Sequence, residues 1–258
     1  MPEQDSLQRP EPSLPPASGR HDGRRMRAIL TLAAAVGFIG FSYAAPDFSG
    51  YDRSQMPLIS ERPPVQPVGF AFAIWGVIYA WLLVHGAYGL FARAEDAAWD
   101  HPRWPLIGAM ALGGGWLFVA VANPIAATLM IFAMLALALW ALARAPDTEP
   151  RDFWLARAPM GLFAGWLTAA SFVSLGLIAG GFGLVGSERV AALIAIVLAA
   201  GFAAWVLVRL RPGGGYALAA GWGLFGIAVA NWGENTDITV LAALAVAALA
   251  GLWWRQRA

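Results

Sequence analysis

Phe72, Trp75 and Tyr79 follow one another at spacings of three and four residues, so a helix through them carries all three on one face. Trp116 and Trp166 stand in two later apolar stretches, with Ala170 and Ser171 about one turn beyond Trp166. Indole and phenol rings combine a broad apolar face with a single N–H or O–H. Gathered together, such side chains line a pocket for a flat hydrophobic ligand and orient it with few hydrogen bonds. A plainer reading stays open, because aromatic stripes at helical spacing more often pack as ordinary core. Anchoring at a membrane interface suits Trp99, Trp104, Trp154, Trp253 and Trp254. It suits Trp75, Trp116 and Trp166 less, since these stand some turns inside their apolar stretches.

Other chemistry has little to work with. The chain has no Cys, which removes disulfides, thiolate catalysis and Cys-ligated metal centres. It also has no Lys, so a Schiff base or a P-loop lysine has no amine to use. His85 is the one ionisable group well inside an apolar stretch; His21 and His101 fall in polar segments. Without companions it reads as an imidazole hydrogen-bonded between helices or reaching the interface, not as a metal ligand. Neither a buried carboxylate relay nor a nucleophile with its base is visible, so no catalytic residue and no metal ligand is assigned.

The elements that must position these residues are membrane spans. Hydrophobic residues make up 59% of the chain and charged residues 13%, against about 25% charged in soluble domains. Mean hydropathy is +0.60. Residues 1–26 are polar, rich in Pro and charge, and read as a disordered tail. Eight apolar stretches of roughly twenty residues follow, at Ala28–Ala45, Pro67–Phe91, Pro105–Ala122, Ile125–Ala143, Pro159–Ile178, Val190–Val208, Tyr216–Ala230 and Ile238–Trp254. A cleavable signal peptide is the rival reading of the first, with Ser42-Tyr43-Ala44 as its site; the long tail and long run favour a retained helix. Prolines 63, 64 and 67 stiffen the approach to the second stretch, where a missing N–H costs nothing. Asn123-Pro124 makes a tight turn between the third and fourth.

The expected fold is therefore an all-α polytopic transmembrane bundle of about eight helices. An even count puts both termini on one side. The tail arginines, Arg93, Arg103, Arg144, Arg151, Arg157, Arg209, Arg211 and Arg255 share that side, while Arg53, Arg62 and Arg189 fall opposite. The positive-inside rule makes the first side cytoplasmic and the Pro46–Gln66 loop external, as expected for a bacterial inner membrane. Gly161-xxx-Gly165, Gly176-xxx-Gly180 and Gly113-Gly114-Gly115 permit close helix approach, read here as packing within the chain.

The second stretch resembles the translocator protein / tryptophan-rich sensory protein family, whose second helix follows a pattern like P-P-x-x-V-F-x-x-V-W-x-x-L-Y. Pro67, Phe70, Phe72, Trp75, Ile78 and Tyr79 follow it, with Ala71 at the family's Phe position. Trp116 is similar to the Trp of the family's third helix, and Trp166, Ala170, Ser171 and Phe172 to a W-x-x-F-A-T-x-L-N pattern in the fifth. Gly113 and Ser174 stand where the family usually has Asn, and Leu162 where it has Pro. The resemblance covers about Ala28 to Ile178. It divides the chain into a five-helix bundle over 27–180 and three additional helices over 181–258, as in longer relatives of about eight helices.

The resemblance implies a membrane protein that binds a flat hydrophobic ligand, a porphyrin such as protoporphyrin IX or haem, as sensor, regulator or carrier. It requires no cofactor. The pocket lies among the five helices with the first loop as lid, and Phe72, Trp75, Tyr79, Trp116, Trp166, Ala170 and Ser171 are its expected residues. The partners implied are the lipid bilayer, the small ligand and a second copy of the chain, with no nucleic acid. A secondary transporter or exporter of a small hydrophobic molecule is the alternative; an enzyme acting on a bound tetrapyrrole is a further one.

Overall fold

A computed structural model describes residues 19–256 apart from Ser49 and Thr148. The first eighteen residues of the expected tail lie outside the described residues. Helix α1 (Gly19–Ala44) is followed by a long loop and a 3-10 turn (Gly69–Ala73) that runs into α2 (Ile74–Phe91). Then come a short α3 (Ala97–Asp100), α4 (Arg103–Ala122), α5 (Pro124–Ala143) and a one-turn α6 (Pro150–Asp152). A π-helical turn (Phe153–Arg157) leads into α7 (Ala158–Gly181), and α8 (Glu188–Leu210), α9 (Gly214–Ala230) and α10 (Thr236–Arg255) complete the chain. The fold is an all-α polytopic bundle of eight long helices, with no strand among the described residues. Seven are long and apolar enough to cross a membrane, and α9 is shorter at 17 residues.

Local sequence explains several boundaries. Asn123 caps α5 by accepting the Ala126 N–H at 3.0 Å, with Pro124 at the first helical position. Ser187 caps α8 through the Val190 N–H. The α8–α9 turn needs left-handed backbone, at φ 45° for Arg211 and φ 89° for Gly213.

One boundary departs from expectation. The first helix begins at Gly19, so its opening two turns use residues read as tail. Tertiary contacts hold that polar start: the Arg27 guanidinium clamps Asp100 with bonds of 2.8 and 2.6 Å, and Arg24 donates to the Glu95 carbonyl.

Helix α7 is the axis of the bundle, buried along most of its length between α2, α5, α8 and α9. It admits α9 because Gly161 and Gly165 leave room for backbone. A Cβ on Gly165 would overlap the Tyr216 carbonyl oxygen, and one on Gly161 would come within 3.2 Å of the Tyr216 nitrogen. The expected intrachain use of the glycine pairs is therefore what the bundle shows. Thr168 and Tyr216 seal the seam with a hydroxyl pair at 2.9 Å. Such polar contacts matter because lipid tails are as apolar as leucine, so helix association rests on packing and hydrogen bonds. The outer face is correspondingly apolar, with Phe41, Phe91, Leu129 and Leu244 exposed.

The α7–α9 seam is testable. Gly165→Ala is expected to lower the melting temperature in detergent, at a cost of about 1–3 kcal/mol for overpacking against backbone. Gly201→Ala, where an added Cβ meets nothing within 4 Å, leaves it unchanged or raised. Equal effects of the two substitutions in a thermal scan would contradict the seam.

Candidate functional site

The aromatic face of α2 opens on a cavity of ≈ 410 Å³ at the end of the bundle covered by the first loop. The 3-10 turn sets its entrance. Val68 lies in extended backbone ahead of the turn (φ −57°, ψ 147°), and the carbonyl of Ala71 accepts the Trp222 Nε1–H of α9 at 2.8 Å. That bond fixes the position from which Phe72, Trp75 and Tyr79 descend along one face. Trp75 and Tyr79 stack with centroids 5.4 Å apart, as a pair one helical turn apart allows. Phe38 of α1 meets both edge-on, at 5.8 and 5.0 Å. Trp166 of α7 stands edge-on to Trp75 at 6.1 Å and to Phe72 at 5.7 Å.

Six of the seven expected residues line this cavity: Phe72, Trp75, Tyr79, Trp116, Trp166 and Ala170. Ser171 does not. It is fully buried with its hydroxyl toward the Ile131 carbonyl of α5, and Ser174, one turn on, lines the wall instead. The structure adds Phe38 and Ser42 from α1 and Ile131 and Met134 from α5. No local signal in the sequence distinguishes these from lipid-facing apolar residues.

Gly113 explains one departure from the family pattern. A Cβ there would overlap the Phe38 ring, so a side chain such as the Asn of the family pattern has no room beside this phenyl ring from α1. The exchange replaces an amide with an aromatic edge in the middle of the wall. The second departure is milder, since Ser174 shares a 2.7 Å hydroxyl contact with Thr128 and stays polar.

Polar groups in the wall are few. Trp116 spends its indole N–H on the Ala127 carbonyl at 3.0 Å. Trp166 Nε1 and Tyr51 Oη are buried without a hydrogen-bond partner among the described residues. Burial pushes the Tyr51 phenol up to about 12, so it remains a protonated donor at neutral pH. No described lining residue is charged, and none is a histidine.

The lid over the cavity is anchored from its far half. Leu58 N–H donates to the Gly181 carbonyl, Ser60 N–H to the Glu188 carboxylate, and Val68 N–H to the Gly226 carbonyl. Asn231 Nδ2 donates to the Pro64 carbonyl at 2.8 Å. Gln55 reaches the Val121 carbonyl across the mouth, and Phe48 meets Trp116 edge-on at 6.0 Å. Helices α7, α8 and α9 therefore hold the loop that covers a site built mainly by α1, α2, α4, α5 and α7.

The chain matches the model of the TSPO-like protein family over residues 28–254, from the first span to the last. It belongs to that family. No curated protein and no solved structure matches it. In this TSPO-like chain the family match runs on through α8, α9 and α10, beyond the stretch that carried the motif resemblance.

At the opposite end of this TSPO-like bundle the charged loops close into a buried cluster. Arg103, only 2% exposed, donates to the carbonyls of Arg24, Gly89, Arg93 and Ala94 and to Asp100. Trp99 is likewise buried at 1%, which corrects its reading as an interfacial anchor; its Nε1–H donates to Asp152 at 2.9 Å. His85 stacks on Trp99 at 5.2 Å, and its Nδ1–H donates to the Leu155 carbonyl at 2.7 Å. That carbonyl sits in the π-helical turn, where the regular ladder is interrupted. The cluster is a polar plug with structural work, in keeping with the interhelical reading of His85. Its charges were legible as loop arginines, but their burial depends on contacts between segments some seventy residues apart.

The Phe38–Gly113 exchange predicts a suppressor pair. Gly113→Asn alone lowers thermal stability by about 1–3 kcal/mol through overlap with Phe38. Adding Phe38→Ala to it recovers part of that loss, whereas Phe38→Ala in the wild type only destabilises. A double-mutant cycle on melting curves checks the sign of the coupling.

Proposed function

We propose that this TSPO-like protein binds a flat hydrophobic ligand, a tetrapyrrole in the first instance, in the lidded cavity and acts as its sensor, regulator or carrier. The observation that carries the reading is the cavity itself. Its ≈ 410 Å³ falls within the ~300–1,000 Å³ range of small-molecule pockets, and it is walled by mutually edge-on rings. Rings arranged edge to face leave π faces for a planar guest, and the wall has no charge to reject an apolar one.

Two donors in the wall have no acceptor among the described residues, Trp166 Nε1 and Tyr51 Oη. A buried unsatisfied donor costs about 1–3 kcal/mol, so a guest that brings acceptors to these positions is favoured by these two groups. With no cation among the described lining residues, acidic substituents of a tetrapyrrole belong at the lid mouth, outside the ring slot. With no imidazole in the lining, a metal-free ring such as protoporphyrin IX suits the wall better than haem needing an axial histidine. The arginine distribution supports a reading with both termini in the cytoplasm and the lid on the outer face of a bacterial cell membrane.

Titration of the purified protein with protoporphyrin IX, followed by tryptophan quenching, tests this. Trp166→Phe keeps the ring edge but removes the donor, and about 1 kcal/mol of lost hydrogen bond weakens binding roughly fivefold. Trp75→Ala with Trp166→Ala abolishes saturable quenching. Identical isotherms for wild type and double variant would overturn the site.

A further inference from the structure

A second cavity, of ≈ 640 Å³, lies outside the lidded site, between α2, the π-helical turn, α9 and α10. Four indoles line its walls, and two of them, Trp81 and Trp222, have their N–H groups already spent. Trp81 donates to the Trp154 carbonyl at 2.9 Å, and the two rings stack at 6.3 Å. Trp222 is tied to Ala71 as described above. Trp253 lies over Gly214, where an added Cβ would fall 2.7 Å from the ring. The floor is α9, whose Gly221 would direct a Cβ into open space. The rim residues Trp154, Leu218 and Phe225 are exposed on the membrane-facing side. The cleft is thus preformed, apolar and open sideways.

Length and charge select the occupant. Along α9 the cleft runs from Gly214 to Phe225, about 16 Å at 1.5 Å per residue. One leaflet of a hydrocarbon core about 30 Å thick is roughly 15 Å deep. The cleft starts at the arginine-rich end of the bundle, where Phe153 packs on Gly213 and Arg157 donates to the Leu210 and Arg211 carbonyls. Arg209, Arg211 and Arg255 are exposed there. No Asp or Glu occurs between Glu188 and Glu234, or after Asp237, and those three acids belong to the opposite end. Arg157 has its own acid, Asp147 at 3.6 Å, but α8, α9 and α10 bring none to this end, and cations at a membrane surface attract anionic head groups.

We propose that this cleft holds one acyl chain of an anionic phospholipid, with its head group on the arginine-rich end of α8, α9 and α10. Inside a bilayer an acyl chain gains little by leaving other lipid, so shape retains the chain and the arginines select the head group. The site is separate from the lidded cavity and does not depend on what that cavity binds.

Native mass spectrometry of the full chain in mild detergent, titrated with phosphatidylglycerol or phosphatidylcholine of the same acyl chains, tests the proposal. The wild type retains one phosphatidylglycerol at least fivefold more strongly than phosphatidylcholine. Gly221→Leu and, independently, Ala250→Phe fill the cleft and lower retention of that lipid at least fivefold. Arg209→Gln with Arg255→Gln removes the preference between the two lipids. Melting temperature and protoporphyrin quenching stay at wild-type values in any variant used, which separates cleft blocking from misfolding and from the fate of the first site. Three results would each overturn the proposal: equal retention of both lipids by the wild type, wild-type retention by both cleft-filling variants, or a dimer that those variants abolish, which makes the cleft an interface between copies.

Discussion

The approach of α9 to α7 at Gly165 and Tyr216 is the contact on which the candidate site depends. It brings backbone against backbone, which only a residue without a Cβ permits. From that seam two sets of groups are placed at once. Helix α7 presents Trp166, the next residue along, and Ser174 to the lidded cavity. Helix α9 presents Trp222 to the carbonyl of Ala71 and Asn231 to that of Pro64, at the head of α2 and in the lid. The last three helices are in this sense part of the site's frame, joined to the first five by one continuous buried core.

Hydrogen bonding sorts the tryptophans by role. In a bilayer an indole N–H left alone is costly, and four of these side chains donate to a carbonyl or carboxylate. Trp81, Trp99, Trp116 and Trp222 each bridge segments distant in sequence or adjacent helices. Their rings are fixed walls. Trp166 differs: it is buried and central, and its donor is unpaired among the described residues. Among the described residues it is the one buried indole N–H without a partner, and it stands between Phe72 and Trp75.

The two ends of the bundle solve different problems. At the arginine-rich end, Arg103 is fully supplied with acceptors and Asp152 is tied to Trp99, so charge is buried at tolerable cost and the end is closed. At the lid end, a loop is pinned by backbone bonds along its second half while Phe48 and Tyr51 cover the cavity with ring contacts.

The sequence by itself determined the class, the number of long helices, the Asn123-Pro124 turn and the aromatic face of α2, because each follows from local length, capping or spacing. It also indicated Phe72, Trp75, Tyr79, Trp116, Trp166 and Ala170 as neighbours, through a motif whose order survives in this chain. Tertiary structure alone decided that Phe38 occupies the space at Gly113, that Ser174 and not Ser171 faces the cavity, and that Trp99 is core. The physical reason is the solvent. In water an apolar stripe marks the inward face of a helix, but in lipid every face is apolar and periodicity loses that information. Which face turns inward is then set by close approach at glycines and by single hydrogen bonds between helices far apart in the chain.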